Sequence, residues 1–357
     1  MTSNKSDQTQ SEIYEDQADL FTDDIYEHNT EDNLPEDIKR EFGIPDQHPI
    51  KLLDTPAAKI IEHATRPWER LREQASSGGF SYSDNPEKTG PLCETTIQTD
   101  LLKTVVHHLD AVLDEFKLVI REEGMYIVAV DSANIEMIEV WIDKADLTNY
   151  TVNQPNTVGM TVKTWQNILK HTKTDAIRFS LTQDTRKIVI EDGFTTKKGL
   201  IDPDAMRRTP SFPWNMGYPT KATLPGVDLK DVTYQAEEDD DTLGIRTTTD
   251  NSIVFGVPGS DRNECFDKVI KTYTNYKDLT EYRKRSISQY NFNINAAEET
   301  FSYYSTDYLK ELFKTAKSNL RTDYHIRLGD NIPIRINREI GENSFINVTI
   351  APQTKSD

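Results

Sequence analysis

Three features of this sequence predict an α+β fold made of two similar halves. Helix-period apolar patterns are few, and each is followed by several short β-rich runs separated by turn signals. That grammar begins near Gln98 and restarts near Val227. At an offset of 144 residues, Trp165, Ile168, Leu169, Lys170 and Lys173 fall on Leu309, Leu312, Phe313, Lys314 and Lys317, and both helices then run into a strand and a hairpin. Two helices against many antiparallel strands, done twice, lets each half bury its apolar faces.

Taken in order, residues 1–92 form an acidic extension. Residues 1–46 are rich in Asp, Glu, Asn, Gln and Thr, with Tyr14, Phe21 and Tyr26 scattered without period, so too little apolar surface exists to offset ordering. Thr55-Pro56 opens one or two short helices within 55–76, and Ser76 to Pro91 reads as a linker. The first half, 93–201, starts with a helix at 98–115 whose Leu101, Leu102, Val105, Leu109 and Val112 share a face. Strands are predicted at 116–121, 125–131 and 135–142, a helix at 162–172, then strands at 176–182, 187–191 and 194–201. Residues 202–225, rich in Pro, read as a connector rather than an element. In the second half, 226–357, a helix at 227–236 precedes strands at 243–249 and 252–257. An irregular stretch at 261–285 leads to a strand at 286–294, a helix at 305–318, and strands at 324–328, 332–337 and 345–350.

Composition excludes several classes. No apolar run approaches the ~20 residues needed to span a bilayer, and the polar N-terminus has no secretory h-region. Cys93 and Cys265 lie far apart, which fits a reducing cytoplasm and excludes a cysteine zinc site or disulfide framework. A net charge of −19 argues against nucleic acid until its distribution is read: the first 50 residues hold 14 acids and 3 bases. Such acidity also hints at a high-salt cell or its virus. No GxSxG, P-loop or HExxH spacing occurs, and His107-His108 diverge by about 100° on a helix. The acids Glu237 to Asp241 read as a solvated loop. No catalytic residue, metal site or cofactor is therefore expected, and the chain reads as no enzyme.

Longer words are more specific. The run from Ile120 to Met137 (IREEGMYIVAVDSANIEM) resembles the stretch in sliding clamps of the proliferating-cell nuclear antigen type that leads from the first hairpin into the next strand. Leu200 to Met206 (LIDPDAM), with Pro210 and Pro213, is similar to the archaeal interdomain connector. Ser305 to Leu312 (STDYLKEL) resembles the start of the last helix, and Ala351-Pro352 the C-terminal tail. The resemblance covers residues 93–357. It implies the DNA-clamp fold, with two domains per subunit, three subunits per ring, helices lining the hole and sheets outside.

Lys310, Lys314 and Lys317 lie at i, i+4 and i+7, opposite the apolar Leu309, Leu312 and Phe313. Lys163, Lys170 and Lys173 form a looser stripe on the earlier helix, with Lys103 and Lys230 on the other two and Arg321 extending the last. With the resemblance, these nine become candidate contacts to phosphates of duplex DNA, without sequence preference. The resemblance also implies a pocket for partner peptides built from Val130, Asn134, Ile135, Met137, Met206, Phe212, Pro213, Pro333, Ala351, Pro352 and Gln353. It implies a subunit interface pairing Thr195, Thr196, Lys197 and Lys198 with Ser286, Ile287, Ser288, Gln289 and Tyr290. The expected function is a processivity factor that tethers polymerase, clamp loader, ligase or nuclease to DNA as a homotrimer, nucleoid-associated in the cytoplasm. The alternative is a monomeric clamp-fold binding protein or decoy acting through its extension and partner pocket.

Overall fold

In the computed structural model, the described residues are 90–182, 187–207, 216–259, 266–273, 293–314, 316 and 322–353. The first half runs β1 (Cys93–Gln98), α1 (Thr99–Val112), β2 (Glu115–Arg121), β3 (Gly124–Val130), β4 (Glu136–Asp143), β5 (Thr148–Val152), β6 (Asn156–Thr161), α2 (Val162–His171), β7 (Ala176–Leu181), β8 (Lys187–Glu191) and β9 (Thr195–Gly199). The second runs β10 (Thr220–Pro225), α3 (Gly226–Glu237), β11 (Thr242–Thr248), β12 (Ser252–Pro258), β13 (Phe266–Tyr273), β14 (Asn293–Ala296), β15 (Thr300–Ser305), α4 (Thr306–Phe313), β16 (Asp323–Leu328), β17 (Ile334–Glu339) and β18 (Phe345–Ile350).

Each helix is held by one apolar face. Leu101, Leu102, Val105, Val106 and Leu109 of α1 are buried, as are Val162, Trp165 and Ile168 of α2. The Thr161 hydroxyl caps α2 by accepting from Thr164 N. At the start of α3, Gly226 lies so close to the Tyr324 ring that a Cβ would sit 2.5 Å from it. The helices pack side by side in the order α2, α1, α4, α3 and cover the inner faces of the sheets.

The strands follow the same plan twice. In the first half β1 pairs with β5 and β7, β7 with β8, β8 with β9, and β2 with β3 and β6, while β3 pairs with β4. In the second half β10, β14, β16, β17 and β18 repeat the first of these groups, and β11, β12, β13 and β15 repeat the second. The halves fuse where β18 pairs antiparallel with β4, making one nine-stranded sheet. That ladder is apolar on its inner face, with Val348 opposite Ile138 and Ile346 opposite Val140. Polar contacts add to the joint: the Tyr308 hydroxyl donates to Asp131 at 3.0 Å, and Arg338 reaches Nε2 of the buried His108 at 3.3 Å. By the same plan, β9 is the first-half counterpart of β18, and β13 the second-half counterpart of β4. Among the described residues both are edge strands.

Several expectations change. The last six residues of the expected connector, 220–225, are strand β10, bonded on both sides, and Pro203–Ala205 is a 3-10 turn. The stretch expected to be irregular contains β13, whose ladder with β12 survives two register shifts. Strands β5, β6 and β15 were not anticipated. The last helix ends at Phe313 with Lys314 as its cap, not at 318. Consequently only Lys310 of the i, i+4, i+7 lysine stripe lies within the described helix, with Lys314 at its cap. Residues 1–89, Phe212, Pro213, 286–290, Lys317 and Arg321 lie outside the described residues.

Candidate functional site

The helix layer carries the lysines. Lys163, Lys170 and Lys173 are exposed on and just after α2, and Lys103 on α1. On the neighbouring pair, Lys230 of α3 and Lys310 of α4 flank the partly exposed Tyr234 ring, at 5.8 and 5.4 Å from its centroid. Lys230 Nζ also donates to the Lys314 carbonyl at 3.1 Å. Acids temper this surface: Asp100 pairs with Lys103 at 3.4 Å, Glu311 with Lys314 at 3.0 Å, and Glu237 with Lys310. The hydrogen bond that the Lys310 ammonium donates to Glu237 holds its pKa above the ordinary lysine value. Such solvent-exposed pairs are weakly held, so another anion can take the acid's place at small cost. With Lys173 and Lys314 included, the four helices carry seven lysines and seven acids, so the layer is mixed in charge with local lysine stripes, and Tyr234 is a member that helical spacing of lysines did not reveal.

The face of the nine-stranded sheet away from the helices holds the second candidate site. Tyr126, Val128 and Val130 of β3, Met137 and Trp141 of β4 and Phe345 of β18 form a separate apolar cluster there, and Met216 packs on it. The expected pocket residues divide. Val130 and Met137 are buried in this outer cluster, whereas Ile135 packs against the main core on the other side. Pro333, Ala351 and Pro352 are buried, and Gln353 is tied down, its N donating to Tyr303 O at 2.8 Å and its side chain accepting from Thr242 at 2.7 Å. Met206 is half-buried against Gly159.

The turn that presents Asn134 and Ile135 is built by Asp131, whose carboxylate accepts from Ile135 N at 2.7 Å and Glu136 N at 3.0 Å. Asn134 there has a left-handed φ of 60°, which Asn tolerates. Arg207 clips the connector to this turn, donating to Asp131 O at 2.7 Å and to the Asn134 side chain. Sequence reasoning missed Arg207, because an arginine in an irregular connector carries no periodic signal.

Deeper in this face, Glu139 accepts from the Tyr126 hydroxyl at 2.9 Å and meets Arg335 at 3.4 Å. Burial pushes the Glu139 carboxyl up to about 7, against the opposing pull of Arg335. His108 is pushed down to about 3 by burial and so is neutral. It is a packing group. A cavity lined by Leu229, Leu243, Phe255, Leu309 and Phe313 lies inside the second half's core, not at either candidate site. Among the described residues no His, Cys, Asp and Glu cluster has metal-ligand geometry, and no helix is long and apolar enough to cross a membrane.

The third candidate site is the pair of edges. Phe194, just before β9, is 83% exposed, and Val269, within β13, is 56% exposed. Both edges thus present a large apolar side chain beside strand backbone that has no ladder partner on one side among the described residues, the usual signature of a strand awaiting a partner. The expected partner of β9, 286–290, lies outside the described residues, and the counterpart of β4 by topology is β13.

Comparison with known proteins agrees with this architecture. Residues 93–199 match the family described as proliferating cell nuclear antigen, N-terminal domain. A DNA polymerase sliding clamp of Methanococcoides burtonii is 27% identical over 267 residues, 74% of this chain and 99% of that protein. One from Archaeoglobus fulgidus is 26% identical over 260 residues, 72% of this chain and 97% of the relative. Among solved structures, A. fulgidus PCNA bound to the C-terminal region of FEN-1 superposes with a TM-score of 0.60 at 24% identity, covering 74% of this chain and 100% of that one. PCNA of Entamoeba histolytica gives 0.61 at 16% identity, with 74% and 100% covered.

Proposed function

We propose that the chain, whose residues 93–199 match the proliferating cell nuclear antigen N-terminal domain and which carries the DNA-clamp fold, works as a DNA sliding clamp, a ring that tethers replication and repair enzymes to duplex DNA. One observation carries the reading. Inside the chain, β18 of the second half pairs with β4 of the first. The two edges left over, β9 and β13, are the topological counterparts of that same pair. A second copy can therefore repeat the intrachain joint head to tail. A heterologous contact that repeats by rotation closes into a ring; with two halves per chain, the family resemblance sets the number at three.

In such a ring the helix layer faces inward, and Lys103, Lys163, Lys170, Lys173, Lys230, Lys310 and Lys314, with Lys317 and Arg321, meet phosphates. Closure holds the DNA topologically, so moderated contacts suffice and permit sliding. Partner peptides, from polymerase, clamp loader, ligase or nuclease, dock on the outer face near Asn134, the Met216 cluster and the tail, adding backbone pairing to an apolar anchor. Three such faces raise the local concentration of enzymes on DNA. This work needs no catalytic group. A cytoplasmic, nucleoid-associated setting belongs to the same proposal.

The test is topological. With a matching loader and ATP, the chain should remain on closed circular DNA through a high-salt wash and leave when the circle is linearised. Equal loss from circular and linear DNA contradicts the proposal and favours a clamp-fold binding protein that never encircles.

A further inference from the structure

Across three strands of the outer face, Lys221, Arg327 and Arg335 stand in one row. Lys221 is opposite Arg327 in the β10–β16 ladder, and Arg327 is opposite Arg335 in the β16–β17 ladder. Like charges placed directly across strands weaken a sheet, so this arrangement calls for an anion. The row grades in depth: Lys221 is exposed, Arg327 half-buried and Arg335 buried. Tyr218 lies near both arginines at the inner end. Arg335 has a carboxylate, Glu139, which it shares with Tyr126. Lys221 and Arg327 make no hydrogen bond or ion pair through their side chains among the described residues. Burial and Arg335 together push Arg327 down to about 10. Beyond Lys221 the row ends on Asn295 of the edge strand β14, which is uncharged.

We propose that this basic row is the docking site for the chain's own acidic N-terminal arm, residues 1–50. The charge fits: the arm holds 14 acids against 3 bases, while residues 51–89 are balanced with 6 of each. The acids Glu237 and Asp239 elsewhere are already matched to Lys310 and Lys268. Reach is no obstacle, because the 39 residues before Gly90 extend to about 130 Å at most. Tethering also gives the arm an advantage over any free acidic peptide of equal affinity. The row continues through Thr349 to Met137, so a seated arm lies against the outer apolar cluster. If partner peptides dock there, as the sliding-clamp reading holds, the arm competes with them; the docking itself does not depend on that reading.

Zero-length carbodiimide coupling of the full chain tests this, since it joins a lysine to a carboxylate only where the two are in contact. Peptide mapping should find Lys221 joined to carboxylates between Asp7 and Asp46, within one chain or between chains. Arg327→Gln, which removes a half-buried charge that has no ion pair among the described residues and should not unfold the sheet, is expected to lower that yield about fivefold, as is ~1 M NaCl, where the screening length is ~3 Å. Glu12→Gln, Glu15→Gln, Asp16→Asn and Asp19→Asn together should lower it as well, and they leave the folded body untouched. Coupling of Lys221 to body acids alone, or arm coupling that ignores both Arg327→Gln and salt, overturns the proposal. So does coupling of Lys221 to an added acidic peptide while the arm stays unlinked.

Discussion

Replacing Glu139 by Gln should change how the stability of this protein depends on pH. Glu139 is buried between Tyr126 and Arg335, and burial raises its carboxyl from 4.5 to about 7. A carboxyl whose folded-state pKa exceeds its unfolded value binds its proton more tightly when folded. Its contribution is therefore greatest below about pH 4.5 and is lost as pH rises toward 7. Integrating that shift from pH 5 to pH 8, at 1.36 kcal/mol per unit, gives a loss of about 2–3 kcal/mol. Gln keeps the size and the acceptor for Tyr126 but does not titrate, so Glu139→Gln should not suffer this loss. Urea unfolding of both proteins at pH 5 and pH 8 measures it, and subtracting the two removes every carboxyl they share. Parallel pH dependence in wild type and variant refutes the reasoning, as does a wild type that gains relative to the variant on going to pH 8.

Other perturbations follow from the same geometry. Gly159→Ala places a Cβ 2.7 Å from the Ile201 carbonyl and against the Met206 sulfur, so it should cost about 1–3 kcal/mol and loosen the connector's start, read as a lower midpoint and faster proteolysis near Met206. Lys310→Ala, Lys314→Ala and Lys317→Ala together should weaken retention on circular DNA and flatten its salt dependence by up to ~3 in slope, with assembly mass unchanged; an unaltered salt slope removes these lysines from the DNA-facing set. Val269→Asp, which sets a charge at an exposed edge without touching the core, should shift the assembly toward smaller species, seen by sedimentation, while leaving the thermal midpoint of the monomer within about 0.5 kcal/mol of equivalent stability.

How far the sequence discloses this architecture depends on periodicity. The two long amphipathic helices and the inner-face strands were legible because their apolar residues recur at 3.6 or 2. β5 (TNYTV) and β13 (FDKVIKTY) were not, since edge strands exposed on both faces lose the alternation that marks a half-buried strand. β10 (TKATLP) was hidden by its flanking Pro219 and Pro225, which read as connector although a strand end tolerates proline. The lysines were visible as a stripe, yet their pairing with Asp100, Glu237 and Glu311 depends on folded neighbours. The split of Ile135 from Met137 was invisible, because apolar identity does not say which side of a two-faced sheet a residue meets. The free edges emerge only when the two halves are compared strand by strand.

The most direct test of the central claim, head-to-tail repetition of the β18–β4 joint by β9 and β13, is the light-scattering mass of the full chain across concentration and salt. The account predicts a species at three times the 40.9 kDa of one chain, which Val269→Asp reduces. A chain that remains monomeric at every concentration and salt contradicts it, and leaves the two edges without the partner their topology implies.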